Sequence, residues 1–549
     1  MSLVKNSYRI LIFKKLSCNS IDQFKAITLF KVMALVLLLI ALSLTLLPYH
    51  YLINRQLIDD SFYEFTIAYN IGTGKGITID GHLPTNGFQP AFVFLISPIF
   101  WLLKGDKYLA IRLIFLVHFV FYIAAAFLFA IIARKAFRGI IGYSEEFAFW
   151  CVFLLYLSNP EITSLHFNGL ETGCLLFFYS MLWWYYQKTG LQRWRDYIIF
   201  GILLGLTILV RIDVVFLVII ISLFQFFHPS SIPFRIRLGR FLLIAGLALI
   251  ISSPWWLYNL LVFGNFQPTS GLAQKLWAID FPRVKTALQI LINHLSPFNY
   301  SSLFWLPTKF VNYNYLVIFL DIFHLFLLIG GIFILLSNRH SLSLRLDLDK
   351  KYFRRSIIFG LLLAIFGLVL LLYYTLSSWA LFFYHRYFCV FLLFGILLSG
   401  VITGILFTRY PKLVIYFFIA VTILISMKYI FTVIKSRIKP YVSPQLKLVQ
   451  DFVPEREYVG AGQSGRLGYF RERTINLDGK VNFYALRCQD ITWDHQKGMP
   501  EFLRKNNINW ICDWRPFIVK YLGKDPIIYG WRLIKEDSGW YLYHYEGSQ

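Results

Sequence analysis

The chain has 549 residues, of which 58% are hydrophobic and only 15% charged, where a soluble domain carries about a quarter charged residues. Repeated apolar runs of bilayer-spanning length make it a polytopic α-helical membrane protein and exclude an ordinary soluble enzyme. The net charge of +24 does not signal nucleic acid, because Lys and Arg crowd the cytoplasmic loops of such proteins.

A basic stretch (Lys5, Arg9, Lys14, Lys15, Lys25) precedes the first apolar run. That run is longer than a cleavable signal core and no small-x-small site follows, so it reads as an uncleaved first span with its N-terminus in the cytoplasm. Val32 to Ile53 crosses the bilayer, and Asp59-Asp60-Ser61-Phe62-Tyr63-Glu64 follows within a few residues. Phe62, Phe65 and Tyr69 recur at helical spacing, with Glu64 and Asn70 off the stripe. This predicts a short amphipathic helix on the membrane surface, stopped by Gly72, Gly74 and Gly76. Acidic side chains at a membrane exit contribute little to insertion or topology. Their use is chemistry at the membrane face.

Phe88 to Leu103 is apolar but only about 24 Å long as a helix, short of a hydrocarbon core of about 30 Å. It reads as a re-entrant or interfacial segment of the first outer loop, residues 54–106, with a short span as the alternative. Basic clusters at Arg134-Lys135, Lys188 to Arg195, Arg235 to Arg240, Asn338 to Arg355 and Arg409 with Lys412 belong in the cytoplasm. About eleven spans satisfy them all: 28–53, 108–133, 146–160, 172–187, 196–211, 213–228, 241–263, 315–336, 356–376, 387–407 and 411–434. The run from Tyr197 to His228 is too long for one helix, and Arg211-Ile212-Asp213 breaks it into a hairpin. An ionisable pair at that depth is either functional or a local ion pair shaping the turn.

This sorting leaves further outer loops at Asn159 to Gly173, at Gly264 to Asn314, and at Tyr384-His385-Arg386-Tyr387. Acids collect in the first two outer loops and isolated cations in the later ones. The chain divides into a multi-span region, 1–435, and an extracytoplasmic tail, 436–549. The tail alternates β-rich runs (457–459, 474–477, 510–512) with helical stretches and closes on a hairpin from Trp531 to Tyr545, which predicts a small α/β domain.

Gly460-Ala461-Gly462-Gln463-Ser464-Gly465 with Asp478 downstream outlines a dinucleotide fingerprint. The tail is too small for a two-half nucleotide fold and lies where nicotinamide and flavin nucleotides are scarce, so the stretch reads as strand, tight turn and helix. The six cysteines show no C-x-x-C and no zinc spacing. Cys151, Cys174 and Cys389 are packing residues, while Cys488 and Cys512 share the tail and can pair in an oxidising compartment.

Taken in order, Asp59-Asp60 with "SFYEFTIAYNIGTGKGITIDG", "PTNGFQP", "NGLETG", "LVRID", "QPTSGLAQK", "HRYF" and "SGRLGYF…TINLDGKVN" resemble the GT-C superfamily of membrane glycosyltransferases. The likeness is nearest to bacterial arabinofuranosyl-, aminoarabinose- and protein-mannosyltransferase relatives. The resemblance implies an inverting transfer from a polyprenyl-phosphate-linked sugar to a glycan, lipid or protein acceptor on the outer face of the bacterial inner membrane. An acid of the first loop serves as base. Many members read Asp-Glu where this chain has Asp-Asp; by position Asp59 is favoured as base and Asp60 as its neighbour, with Glu171 assisting. A departing lipid phosphate calls for fixed cations, for which Lys275, Arg386 and Arg211 are the candidates. Glu171 as a helix cap and Arg386 as a span-boundary charge are the structural alternatives. No cofactor is required by this scheme, and a divalent metal stays open. The competing class is a lipid or sugar transporter, although the expected pair of broken helices is not seen.

Overall fold

The computed structural model describes residues 20–137, 144–227, 232–299, 313–337, 350–438, 443–488 and 498–547. Apolar runs form long helices wherever no Pro or Gly interrupts them, and polar side chains set their ends. The first helices are α1 (Ser20–Ser43), α2 (Asp59–Gly72), α3 (Pro90–Leu102), α4 (Lys107–Ala136), α5 (Glu145–Ser158), α6 (Pro160–Phe167) and α7 (Thr172–Thr189). Then come α8 (Trp194–Val210), α9 (Val215–Phe227), α10 (Phe234–Phe263), α11 (Phe281–Leu295), α12 (Tyr313–Ser337) and α13 (Lys350–Ser377). The short α14 (Tyr384–Tyr387) precedes α15 (Val390–Arg409) and α16 (Pro411–Ile438). Asp106 caps α4 by accepting from the amides of Tyr108 and Leu109, and Asn159 caps α6, with Pro160 at its first position. Gly190 and Gly264 end α7 and α10 in the left-handed conformation, where a side chain is strained.

Each of the eleven expected spans overlaps a helix, α1, α4, α5, α7, α8, α9, α10, α12, α13, α15 and α16, but the first is displaced: α1 runs Ser20–Ser43 where 28–53 was expected, and short turns follow it. Among the described residues, six are long and apolar enough to cross a membrane: those at Gln23–Leu46, Lys107–Ala136, Phe234–Phe263, Lys351–Ser377, Val390–Arg409 and Pro411–Arg437. Exposed Leu39, Val120, Leu261, Leu372 and Met427 give five of these helices an apolar outer surface. The protein is an integral membrane protein. Several basic side chains bond to the ends of neighbouring helices. Lys31 and Arg134 pair with Glu146 and Glu145, Arg355 donates to the carbonyls of Gln187 and Lys188, and Arg237 donates to that of Phe226. The hairpin breaks as expected: α8 ends at Val210 and a single tight turn, Ile212–Val214, leads into α9.

Two expectations for the first outer loop change in detail. The segment 88–103 forms α3, a 13-residue helix about 20 Å long, lying against α2. Gly72 permits this approach, since a Cβ there would overlap the carbonyl of Ser97. The α2 helix does not lie open on a membrane surface: Ser61 to Ala68 are all buried. Its apolar stripe packs Phe62 and Phe65 on Tyr469, and the tail covers its polar side.

The tail begins with α17 (Pro444–Phe452), then β1 (Tyr458–Ala461), α18 (Gly465–Phe470), β2 (Thr474–Asn476), α19 (Phe483–Cys488) and α20 (Met499–Lys505). It continues with β3 (Ile508–Trp514), α21 (Arg515–Leu522), β4 (Trp531–Asp537) and β5 (Trp540–Tyr545). The sheet order is β2-β1-β3-β5-β4. β1 runs parallel to β2 and β3, and β5 antiparallel to β3 and β4. The helices between β1, β2 and β3 supply the crossovers that parallel pairing needs, and the expected closing hairpin is β4–β5. Each face carries its own core, one including Leu477, Ile511 and Tyr521, the other Val449, Leu467 and Leu542. Cys488 and Cys512 are free thiols: Cys512 is buried in the sheet on β3 and Cys488 ends α19, so the pairing considered from the sequence is not made.

Candidate functional site

The site is built on the first turn of α2. The chain loosens into one wide turn over Leu52–Gln56, extends through Leu57 and Ile58, and enters α2 at Asp59. Two acids in a first helical turn are favoured there by the positive end of the helix. Adjacent residues lie about 100° apart around a helix, so the two carboxylates face different surroundings.

Asp59 faces the tail. Its carboxylate accepts from the amides of Gly465 at 3.0 Å and Arg466 at 2.9 Å, the first residues of α18. The G-x-G-x-x-G stretch is thus a strand, turn and helix whose leading amides hold an internal anion instead of a pyrophosphate. Gly465 is required because a Cβ there would overlap the Asp59 carbonyl. Tyr63, one turn further along α2, donates to the Gly462 carbonyl at 2.9 Å and accepts from the Ser464 amide at 3.2 Å. Burial pushes the Asp59 carboxyl above its ordinary value, against the pull of these amides and of Arg466. The same turn is braced by Asp513, which accepts from the amides of Gly462 and Trp514 at 2.5 and 2.8 Å; burial raises its carboxyl to about 7.

Asp60 faces a cavity of about 370 Å³. Of the residues singled out in the sequence, Asp60, Glu171, Arg211, Lys275 and Arg386 line this one space, and Asp59 does not. The Asp60 carboxylate lies 3.7 Å from Lys480 Nζ and 4.0 Å from Arg386 Nη1. Arg386 Nη2 reaches both oxygens of Glu171, at 3.2 and 3.1 Å, while its buried Nε has no partner among the described residues. Arg211 reaches Glu171 at 3.4 Å and Asp213 at 2.9 Å, and Tyr374 donates to Asp213 at 2.7 Å. Tyr387 stacks on Tyr374 and lies under the Arg211 guanidinium. Glu171 makes no side-chain cap for α7; it is fully buried between the two arginines. Lys275 is exposed at the cavity wall.

Two acid–base groups of this cavity were not assigned from the sequence. Lys480 comes from the tail, carried in by the turn Asp478-Gly479-Lys480. Gly479 is left-handed with φ +81°, and Gly87 lets the "PTNGFQP" loop close on the Lys480 carbonyl. Burial alone would lower the ammonium, but Asp60 and Asp478 hold it above its ordinary value. Glu64 is 5% exposed, and its Oε2 has no partner among the described residues. Burial, followed by the charge of Glu171, holds it well above the usual carboxylate range. The third acid of Asp59-Asp60-x-x-x-Glu64, one helical turn past Asp60, was the available signal for Glu64. Nothing local marks Lys480, because its role depends on how the tail docks.

Phe216, Trp256, Phe266 and Tyr373 make part of the wall apolar, and Gln89, Gln267, Ser270 and Gln274 line it too. Two loops meet beside it: the Asn86 side chain accepts from the Thr269 amide at 3.1 Å and from the Thr269 hydroxyl, joining "PTNGFQP" to "QPTSGLAQK".

No family model matches the sequence, and no curated protein matches it. Two solved structures of one protein share its fold. ArnT from Cupriavidus metallidurans in its apo state aligns with a TM-score of 0.53 at 12% identity, over 94% of this chain and 97% of that one. The same protein bound to undecaprenyl phosphate gives 0.52 at 11% identity and the same coverage. An oligosaccharyltransferase from Archaeoglobus fulgidus, in complex with Zn and sulfate, scores 0.44 at 13% identity, over 93% of this chain and 73% of that one. The chain thus shares the fold of ArnT, and the polytopic helical region with a small α/β tail expected from the sequence is the architecture observed.

Proposed function

We propose that the chain is a glycosyltransferase that moves a sugar from a polyprenyl-phosphate donor to a hydroxyl acceptor at the membrane face bearing the tail. The carrying observation is the cavity itself, where one accessible carboxylate, Asp60, stands opposite Arg386, Lys480, Arg211 and Lys275. The fold shared with ArnT, which binds undecaprenyl phosphate in one of its structures, supports the lipid class.

In this reading the acceptor oxygen attacks C1 of the sugar from the face opposite the lipid phosphate, the C1–O bond to phosphate breaks, and configuration inverts. Asp60 takes the acceptor proton and its charge favours the oxocarbenium-like transition state. The role passes from Asp59 to Asp60 because the Asp59 carboxylate is committed to the tail amides. Arg386 and Lys480 meet the departing phosphate; the free Nε of Arg386 is an available donor, and such charge-assisted hydrogen bonds are the strong ones. Glu171 holds Arg386 and Arg211 in place. Glu64 hydrogen-bonds a sugar hydroxyl, and the apolar part of the wall receives the first isoprene units. The basic loops orient the tail outward, across the inner membrane of a bacterium.

The test is to supply labelled polyprenyl-phosphate sugars to membranes containing the protein. Label moves into an acceptor with wild-type protein and stays on the lipid with Asp60→Asn; equal transfer by both would remove the proposal. A transporter, the competing reading, would flip the donor without transfer in both. That reading gives no task to a tail lysine paired with Asp60.

A further inference from the structure

Outside the catalytic cavity, three outer-loop elements bring together two imidazoles and one carboxylate. Glu161 lies on α6, His294 on α11 and His385 on α14, and one ligand atom from each lies within 4.8 Å of the others. None of the three lines the catalytic cavity.

The chemistry of His294 separates this group from a chance cluster. The ring is 2% exposed. Its Nδ1 lies 3.1 Å from the Phe388 carbonyl, which can only accept, so Nδ1 carries the proton and Nε2 presents a lone pair. Among the described residues, that Nε2 is buried and without a partner, a costly state when nothing compensates it. An imidazole whose far nitrogen is fixed by a backbone carbonyl is how proteins prepare a metal ligand. His385 stacks obliquely beside it, ring centroids 5.7 Å apart, and its Nδ1 sits 3.2 Å from Glu161 Oε1. A surface His–Glu pair alone would account for Glu161 and His385 but not for the empty lone pair behind them.

We propose that Glu161, His294 and His385 form a binding site for a divalent transition metal of the zinc class. Two imidazoles and a carboxylate suit Zn²⁺ and disfavour Mg²⁺ and Ca²⁺, which take oxygen ligands. His385 also borders a second cavity that Asn293 and Asp321 line, leaving room for water at the open coordination position. The bound ion ties α6 and α11 to α14. The residue after His385 is Arg386, which grips Glu171 and faces Asp60, so the metal acts as a positioning group for that arginine. The proposal does not depend on the transferase reading, because metal binding is measured on the protein itself.

The test uses untagged full-length protein in detergent, stripped with EDTA and titrated with Co²⁺ and then Zn²⁺. One equivalent of Co²⁺ is expected to give visible d–d bands that one equivalent of Zn²⁺ abolishes, and Zn²⁺ is expected to raise the thermal midpoint. His294 is too deeply packed for a clean test, so the two less buried ligands carry it. His385→Ala and Glu161→Gln should each weaken Zn²⁺ binding by at least about 100-fold while the metal-free thermal midpoint stays put. Asp60→Asn should leave binding unchanged. Absence of a stoichiometric site, binding that survives both ligand substitutions, or binding lost in Asp60→Asn would each overturn the proposal.

Discussion

Replacing each carboxylate of the Asp59-Asp60 pair by its amide separates the two tasks proposed for them. Asp60→Asn keeps size and hydrogen bonding but removes the basic oxygen. General-base catalysis contributes about 10²–10⁴-fold, equivalent to about 2.7–5.5 kcal/mol of transition-state stabilisation. Turnover should fall by that range, while donor affinity changes little because Arg386, Lys480 and Arg211 remain. Asp59→Asn acts elsewhere. The carboxylate accepts two amide hydrogen bonds, at 3.0 and 2.9 Å; an amide offers one acceptor oxygen and turns an N–H₂ toward the second donor. Losing one bond to an ionised acceptor costs about 1.5–3 kcal/mol, charged to the docking of the tail rather than to the chemical step. The assay pairs single-turnover transfer from a labelled polyprenyl-phosphate sugar with protease cleavage of the tail. Asp60→Asn should be slow in transfer with a protected tail, and Asp59→Asn should be cut faster with transfer reduced only as far as docking fails. Dead transfer in Asp59→Asn with a fully protected tail, beside near-normal transfer in Asp60→Asn, would refute the assignment.

Gly465→Ala should loosen the tail in the same protease assay without affecting any nucleotide binding, since the added Cβ meets the Asp59 backbone. Glu171→Gln weakens a buried charge cluster and should lower thermal stability, as breaking such a pair costs about 3–5 kcal/mol. Lys480→Met should raise the donor KM more than it lowers kcat, because the ammonium is proposed to meet the phosphate. The Asp513 carboxyl is raised to about 7 in the fold from an unfolded value of about 3.9; its contribution to stability is therefore complete below the unfolded value and lost as pH rises through about 7. The thermal midpoint of Asp513→Asn should accordingly depend less on pH across that window than the wild type.

The helical part was legible because its signals are local. Apolar run lengths, loop charge and the Arg211-Ile212-Asp213 break each declare themselves within a few residues, and they put helices where helices are found. The tail's strands were legible too, from β-rich runs between turn residues. What was not legible depends on docking. Asp59 and Asp60 are indistinguishable as letters, and only the approach of α18 decides which one is used up as a ligand for backbone amides. Lys480 reads as one more tail lysine until the turn at Gly479 delivers it to Asp60. His294, His385 and Glu161 are far apart in sequence, and no spacing rule joins them.

The first two turns of α2 show why these pieces belong to one device. Residues four apart share a helix face, so Asp59 and Tyr63 form one stripe and Asp60 and Glu64 the next. The first stripe is bound to the Gly462–Arg466 turn of the tail through amides and a carbonyl. The second lines the cavity, and the aromatic stripe of Phe62 and Phe65 packs on Tyr469 of α18. With these stripes held, the helix has little freedom to turn about its axis. The tail's grip on Asp59 and Tyr63 therefore sets the direction in which Asp60 and Glu64 point. It also explains why the tail supplies Lys480 to the cavity: the domain that aims the carboxylate also brings its counter-charge. Loosening the tail should then lower transfer even when every cavity residue is intact, and Tyr63→Phe is the gentlest way to do so. It deletes one hydroxyl outside the reaction, and a fall in transfer that tracks tail mobility is the expected result.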